Sequence, residues 1–253
     1  MSRIAGDPDI SMYRASGLSL RVARWRSNSP DKAPLLFING IGADIAAASP
    51  LLGRLHGRDA WTLDMPGVGE SPDALWPYSA QSMAAAVMEI ADQFDMPQID
   101  LAGFSWGGAI AQQIAVQFPA RIRRMVLMAT APFVSSPDIG WGTAMDSDMQ
   151  ANALRLPTAT PLGIAYQTMA MVGWTSAAQL PGLKHLPTLI LMGEQDGVMP
   201  SCHGQLLAQL IPGATLEIVA GGAHMFPFTL AAKVAGRISD FQDQPLPDRQ
   251  AAA

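Results

Sequence analysis

The chain has 253 residues, a single cysteine and a formal net charge of −5, from 21 acidic and 16 basic residues. Nearly balanced charge without a clustered basic face argues against a nucleic-acid partner, and one cysteine, Cys202, excludes an internal disulfide. The first residues carry acids and a proline where a signal peptide has a continuous apolar segment, and no apolar stretch reaches the length of a membrane span. We therefore expect a cytoplasmic protein without a transmembrane segment, whose oligomeric state the sequence leaves open.

The first half of the chain alternates predicted strands with predicted helices. Leu18–Trp25 alternates apolar and polar residues, as a half-exposed strand near a sheet edge does. Leu35–Ile38 is continuously apolar, which is typical of a strand covered on both faces in a parallel sheet, and Ala60–Leu63 predicts the next strand. Ser79 is a predicted N-cap for a helix that ends before Pro97.

Two glycine-containing loops follow these buried strands. The first, Asn-Gly-Ile-Gly-Ala at 39–43, lies where enzymes with a serine nucleophile on a parallel sheet supply half of an oxyanion hole, and the amide of Ile41 is the candidate donor. A simple strand-to-helix turn is the alternative. In the second loop, Asp-Met-Pro-Gly-Val-Gly-Glu-Ser at 64–71, we expect Asp64 to accept loop amides rather than to act in catalysis.

The pentapeptide Gly-Phe-Ser-Trp-Gly at 103–107 stands between an apolar strand-like run and an alanine-rich helix-like run. This context predicts a nucleophile elbow, a tight turn that lifts one hydroxyl to the carboxyl edge of a parallel sheet. The flanking glycines fit because such a turn leaves no room for Cβ atoms beside the serine. Ser105 is therefore the candidate nucleophile, and a glycine-serine turn that happens to precede a helix is the alternative.

After a predicted strand at 125–128, the alternation of strands and helices is lost between 132 and 185, a segment rich in Met, Trp, Gly and Pro. We expect this segment, which we call the cap, to be helical and inserted over the carboxyl edge of the sheet. The predicted core therefore comprises 1–131 and 186–242, and 243–253 is predicted to be a flexible tail. The candidate substrate contacts are Asn39, Met145, Met169 and Trp174, for which packing is the alternative role.

Two further candidate residues follow predicted strands in the last third of the chain. Asp196 comes shortly after the apolar run 188–192, and His224 ends a glycine-rich loop after the run 216–219. A serine nucleophile needs a base that a third group orients, and the order Ser105, Asp196, His224 fits that arrangement. Glu194 is the rival acid. The other histidines do not follow a predicted strand: His56, His185 and His203.

These residues together predict a hydrolytic mechanism. His224 would take the proton of Ser105 while Asp196 holds the imidazole, and the amides of Ile41 and Trp106 would stabilise the oxyanion. We expect no metal and no organic cofactor to take part.

The sequence resembles the α/β-hydrolase superfamily over nearly all of its length, and more narrowly the intracellular medium-chain-length poly(3-hydroxyalkanoate) depolymerases and their esterase relatives. The resemblance rests on the segments 37–43, 64–69, 105–113, 173–176 and 187–193. It implies an α/β fold of the α/β-hydrolase type, with a mostly parallel central sheet flanked by helices and a short helical cap. It also implies hydrolysis of 3-hydroxyacyl esters, as polymer or small molecule. Association with polymer granules stays open, because an exposed apolar cap suits a granule surface and an ordinary acyl pocket equally well. Phe104 stands where a smaller residue is expected.

Other functions stay open at this point. A general carboxylesterase for small or medium-chain esters is the alternative within the same chemistry. A carbon–carbon bond hydrolase would need polar groups in the cap for a dioic substrate, and the cap is mostly apolar. A ligand receptor without turnover is disfavoured by the presence of all three of Ser105, Asp196 and His224.

Overall fold

The computed structural model describes residues 7–27, 32–134 and 159–247. Within these ranges one eight-stranded sheet has the order β1-β2-β4-β3-β5-β6-β7-β8. The strands are β1 (Asp9–Ala15), β2 (Leu18–Trp25), β3 (Leu35–Ile38), β4 (Ala60–Leu63), β5 (Ile99–Phe104), β6 (Ile122–Met128), β7 (Thr188–Gly193) and β8 (Thr215–Val219). The pairs β1–β2 and β2–β4 are antiparallel, and every other neighbouring pair is parallel. The carboxyl ends of β3 to β8 therefore lie at one edge.

Burial along the strands matches their apolar pattern. Every residue of β3, β4, β5 and β7 is buried, because helices cover both faces of a parallel sheet. The edge strand β1 is largely exposed and pairs with β2 alone. The predicted buried and alternating strands are confirmed, whereas β1 was not predicted.

Helices flank the sheet and connect its strands. They are α1 (Ile45–Leu52), α2 (Ala80–Gln93), α3 (Trp106–Gln117), α4 (Pro161–Met171), α5 (Ser201–Leu210), α6 (Phe226–Thr229) and α7 (Ala231–Asp243). The predicted N-cap of α2 is confirmed, because the Ser79 side chain accepts from the Ser82 amide and the Ser82 side chain accepts from the Ser79 amide. None of the helices in the described ranges has the length and apolarity that crossing a membrane requires.

The described parts of the cap are residues 132–134 and 159–185, and they include α4 and a short 3₁₀ turn at Leu180–Leu183. The two ends of the cap meet, because Phe133 pairs with Thr175 in an antiparallel bridge. The buried Gln112 of α3 bonds to Ala131, the residue before the cap, and to Ser176 within it. Its amide nitrogen donates to the Ala131 carbonyl at 3.1 Å, and its oxygen accepts from the Ser176 hydroxyl at 2.8 Å.

The division into core, cap and tail stays a prediction. Helix α7 ends at Asp243, the first residue of the predicted tail, and that carboxylate accepts from Lys32 at 2.8 Å and from Arg58 at 2.7 Å. The tail residues after 247 lie outside the described ranges.

Candidate active site

The topology of the sheet brings three predicted residues to one edge. Ser105 directly follows β5, Asp196 follows β7 by three residues, and His224 ends the loop after β8. These strands are parallel and lie in the contiguous order β5-β6-β7-β8, so their carboxyl ends open on the same side. Side chains that are up to 119 residues apart in sequence therefore meet.

The imidazole of His224 lies between the serine and the carboxylate. Its Nε2 is 3.3 Å from Ser105 Oγ, and its Nδ1 is 3.0 Å and 3.2 Å from Oδ2 and Oδ1 of Asp196. The exposed fractions of Ser105, Asp196 and His224 are 5%, 6% and 2%. Because a carboxylate only accepts hydrogen bonds, Nδ1 facing Asp196 carries the proton in neutral His224. Nε2 then has a free lone pair directed at the serine hydroxyl.

The carboxylate of Asp196 is held by its own loop as well as by the histidine. Oδ1 accepts from the amides of Val198 at 2.9 Å and Met199 at 2.8 Å. Glu194, the rival acid, instead accepts from the Gly221 amide at 2.8 Å and so holds the loop that carries His224. Both acids therefore fix the position of the base, but only Asp196 contacts it.

Ser105 adopts a strained backbone conformation. Its φ of 52° and ψ of −121° lie where residues other than glycine are rare, at a cost of about 1–3 kcal/mol. The surrounding structure holds it there, because the Ser105 amide donates to the Met128 carbonyl at 2.9 Å. The Thr130 hydroxyl donates to the Ser105 carbonyl at 2.8 Å. This is the geometry that a nucleophile elbow requires.

The glycines of the pentapeptide are required by close backbone contacts. A Cβ at Gly107 would collide with the carbonyl oxygens of Ile38 and Asn39, and a Cβ at Gly103 would collide with the Gly107 carbonyl. The first turn of α3 therefore packs directly on the end of β3 and the start of the loop at 39–43. A larger residue at Gly107 would push the first turn of α3 away from that loop, and one at Gly103 would push it away from β5.

Phe104 fits beside the nucleophile because its neighbour in the loop is a glycine. A Cβ at Gly40 would lie 3.1 Å from the Phe104 ring and 3.3 Å from Ser105 Cβ. On its other sides, the Phe104 ring contacts the rings of His224 and Phe228, with centroids 5.1 Å apart in both pairs. Phe104 thus forms an apolar wall against the imidazole.

The two candidate oxyanion donors lie on segments that contact the serine. Trp106 is the first residue of α3, so its amide has no acceptor within the helix, and the helix dipole favours negative charge at this end. Ile41 follows Gly40, which packs on Ser105. Among the described residues, neither the Ile41 nor the Trp106 amide donates a hydrogen bond. Both N–H groups can therefore donate to a substrate oxygen.

The four candidate substrate contacts differ in their surroundings. Asn39 is buried, and its Nδ2 donates to the Asp44 carbonyl at 2.9 Å, which holds the loop closed. Trp174 is buried, and its Nε1 donates to Gln113 Oε1 at 3.0 Å. Met169 lies on α4 and is 55% exposed, and Met145 lies outside the described residues. Substrate contact stays a prediction for all four.

Trp174 nevertheless connects the cap to the candidate nucleophile. Its ring meets the ring of Trp106 edge-on, with centroids 6.1 Å apart. Since Trp106 is the residue after Ser105, this contact places the end of the cap beside the elbow. The described residues contain no cluster of three or more His, Cys, Asp or Glu side chains that could hold a metal ion.

One residue that contacts the site was not predicted from the sequence. Gln167 of α4 is completely buried and accepts a hydrogen bond from the Gly42 amide at 3.2 Å. The available signal was a single amide among apolar and small residues in the segment 161–171. That pattern alone does not distinguish a functional residue from a solvated one.

Asp64 holds the start of α1, which follows the loop at 39–43. Its Oδ1 accepts from the Ile45 amide at 2.7 Å, and its Oδ2 lies 3.4 Å from Arg21 Nη1. Burial raises the pKa of Asp64 from 3.8 to about 6, although the Ile45 amide and the Arg21 charge lower it. The carboxylate is therefore structural, as expected from the sequence.

We expect Asp64→Asn to change how stability depends on pH. The folded protein binds the Asp64 proton more tightly than the unfolded chain, so the stability from Asp64 is present below pH 4 and is lost as pH rises through about 6. At 1.36 kcal/mol per pKa unit the loss is on the order of 3 kcal/mol. Urea unfolding at intervals from pH 4 to pH 8 measures the difference between wild type and variant. Parallel curves for the two proteins would contradict this prediction.

Comparison with known proteins places the chain among hydrolases. A family model described as alpha/beta hydrolase fold matches residues 33–162. A poly(3-hydroxyalkanoate) depolymerase of Ectopseudomonas oleovorans is 32% identical over 256 residues, covering 89% of each chain. A 2-hydroxymuconate semialdehyde hydrolase of Pseudomonas sp. (strain CF600) is 27% identical, covering 89% of this chain and 93% of the relative.

A solved structure shows the same fold at lower identity. A thermophilic esterase from Thermogutta terrifontis superimposes with a TM-score of 0.80 at 19% identity, covering 92% of this chain and 97% of the esterase. At that identity the likeness establishes the fold alone. The predicted mostly parallel sheet with flanking helices is confirmed.

Proposed function

The chain belongs to the α/β-hydrolase fold family, and from this we propose that it is a serine hydrolase that cleaves carboxylic esters. The observation that carries the proposal is the position of His224, with Nε2 3.3 Å from Ser105 Oγ and Nδ1 3.0 Å from Asp196 Oδ2. The proposed substrates are 3-hydroxyacyl esters, as in a poly(3-hydroxyalkanoate) depolymerase. A general carboxylesterase for small or medium-chain esters is the alternative.

In the first half of the reaction, Ser105 Oγ attacks the ester carbonyl carbon. His224 Nε2 takes the hydroxyl proton as the new C–O bond forms, and Asp196 stabilises the resulting imidazolium. The carbonyl oxygen becomes an oxyanion, to which the amides of Ile41 and Trp106 donate. Each such donor contributes roughly 3 kcal/mol in comparable sites. His224 then protonates the leaving alcohol, and the C–O bond to that alcohol breaks.

The second half of the reaction releases the acid. A water molecule takes the place of the alcohol, and His224 removes one of its protons as its oxygen attacks the acyl carbon. The ester bond to Ser105 breaks, and the proton returns from His224 to the serine oxygen. None of these steps calls for a metal ion or an organic cofactor.

Two observations favour ester cleavage over carbon–carbon bond cleavage. The depolymerase relative is 32% identical, whereas the 2-hydroxymuconate semialdehyde hydrolase is 27% identical at the same coverage of this chain. Helix α4 carries no charged side chain that could pair with a second carboxylate of a dioic substrate. An apolar cap suits the alkyl side chains of 3-hydroxyacyl esters instead.

A polymeric substrate needs a surface that contacts it, and we assign this role to exposed apolar residues beside the cap. Leu75 and Trp76 are 84% and 79% exposed. They follow Asp73, whose carboxylate accepts from the Thr160 hydroxyl at the start of α4. Exposed apolar residues also lie on α4, at Leu162 and Met169, and directly after it, at Val172. Exposed apolar residues next to the start of α4 favour contact with an apolar polymer granule.

The test is a paired assay of soluble 4-nitrophenyl esters of graded acyl length and a suspension of medium-chain polyhydroxyalkanoate. Clearing of the suspension with release of 3-hydroxy acids is expected. Ester cleavage without clearing would support the general carboxylesterase. Cleavage of neither substrate would contradict the proposed function.

We expect Leu75→Ser/Trp76→Ser to separate polymer hydrolysis from ester hydrolysis. Each substitution removes an apolar contact with the polymer that is worth about 1.5–3 kcal/mol. The rate of clearing should therefore fall at least about tenfold, while kcat/KM on the soluble esters stays within about twofold. The matched control is Ile10→Ser/Met12→Ser, which removes two exposed apolar residues from β1 and leaves both rates unchanged. Equal loss in both assays would contradict the role of this surface.

A further inference from the structure

Gln167 joins the cap to the loop at 39–43, which we call the oxyanion loop. Its Oε1 accepts from the Gly42 amide at 3.2 Å, and its Nε2 donates to the Gly163 carbonyl at 3.3 Å. The side chain is completely buried, so no water competes for these bonds. Gly42 directly follows Ile41, the candidate oxyanion donor. Gln167 therefore contacts a residue next to that donor from a position 125 residues further along the chain.

Helix α4 is fixed on the core independently of this bond. The Thr160 amide donates to the Gly67 carbonyl at 2.8 Å, and a Cβ at Gly163 would lie only 2.6 Å from the Gly67 oxygen. The helix backbone thus rests on the backbone of the loop at 64–71. This contact gives Gln167 a fixed base from which to hold the oxyanion loop.

Among the described residues, few other hydrogen bonds hold the oxyanion loop. Gly42 has φ of +66°, a conformation that glycine adopts without strain, and Gly40 also lacks a side chain. Within the loop, the Ala43 amide donates to the Gly40 carbonyl at 3.1 Å, and Asn39 Nδ2 closes the loop. The bond from Gly42 to Gln167 fixes the peptide unit next to the one that carries the Ile41 N–H.

We propose that Gln167 is a positioning residue that sets the orientation of the Ile41 amide and makes a complete oxyanion hole depend on the packing of α4 on the core. This proposal rests on the proposed function, since it takes Ile41 as an oxyanion donor. Gln167 acts through Gly42 and contacts no reacting atom. A hydrogen bond that holds a donor in place stabilises the transition state more than the bound ester, because the oxyanion exists only in the transition state.

The test compares Gln167→Met, which keeps the side-chain volume and removes the amide, with wild type. We expect kcat to fall about 10- to 100-fold with KM within about threefold. The inhibition constant of an alkyl trifluoromethyl ketone, whose adduct with serine carries an oxyanion, should rise by the same factor as kcat/KM falls. Gln167→Asn is a second variant, which keeps a polar side chain but is one methylene too short to reach Gly42. We expect the same fall in kcat for it.

The matched control is Gln242→Met. Gln242 lies in α7, away from the oxyanion loop, and its buried side-chain amide donates to Asp100 of β5 at 3.2 Å. The substitution therefore also removes a buried amide. Its stability should fall, while kcat and the inhibition constant stay unchanged. Gln167 variants with unchanged kcat, or with reduced kcat but an unchanged inhibition constant, would overturn the proposal. Wild type that fails to hydrolyse esters would instead show that the proposed function itself is wrong.

Discussion

Ser105→Ala is expected to lower kcat for ester hydrolysis at least about 10⁴-fold while the free energy of unfolding changes by less than about 1 kcal/mol. The substitution removes only Oγ, the atom 3.3 Å from His224 Nε2. Alanine keeps the Cβ, so the strained backbone at φ of 52° and its contacts with Met128 and Thr130 stay as they are. Hydrolysis of 4-nitrophenyl butyrate and urea unfolding measure the two quantities.

Ser176→Ala is the matched control for this experiment. Ser176 is also buried, and its hydroxyl donates to Gln112 at the base of the cap, not to the histidine. Loss of that bond is expected to cost about 1 kcal/mol of stability and to leave kcat within about threefold. Retention of a tenth or more of the wild-type kcat in Ser105→Ala would exclude this serine as the nucleophile.

Gly107→Ala is expected to have the second largest effect, on stability as well as activity. The added Cβ collides with the carbonyl oxygens of Ile38 and Asn39, which belong to the backbone of β3 and the oxyanion loop and cannot rotate away. Separation of α3 from β3 is expected to cost about 3 kcal/mol or more. The same shift moves the Ser105 elbow away from the oxyanion loop, and kcat of the remaining folded protein should fall about 100-fold.

The control for Gly107→Ala is the same substitution at Gly236. This glycine lies inside α7, and a Cβ there meets nothing within 4 Å. Alanine should therefore stabilise the protein by about 0.5–1 kcal/mol through helix propensity and leave kcat unchanged. Urea unfolding and ester hydrolysis of both variants test the pair. A Gly107→Ala protein as stable and active as Gly236→Ala would contradict the described packing of the elbow.

The sequence predicted those parts of the fold whose patterns are local. The run Leu35–Ile38 is continuously apolar because both of its faces are covered, and this pattern correctly indicated a parallel sheet. Ser79 correctly indicated the start of α2, because an N-cap uses only residues within one turn. The strand ends also gave the order of Ser105, Asp196 and His224, which the structure brings together.

The parts that the sequence did not predict depend on contacts between distant residues. Strand β1 exposes Ile10 and Met12 to solvent and is stabilised by pairing with β2, so it lacks the apolar signature of a buried strand. A smaller residue was expected in place of Phe104 because the residues around its ring are distant in sequence. Gly40 leaves room for the ring, and Phe228 packs against it. Gln167 could not be linked to Gly42, because no local pattern records a contact across 125 residues.

The proposed mechanism requires that Ser105 forms a covalent acyl intermediate with the help of His224 and Asp196. Mass spectrometry of the intact protein after reaction with a fluorophosphonate, followed by peptide mapping, tests this claim most directly. We expect one adduct per chain, located on Ser105, and none in Ser105→Ala. An adduct on another residue, or undiminished ester hydrolysis by a protein that forms no adduct, would contradict it.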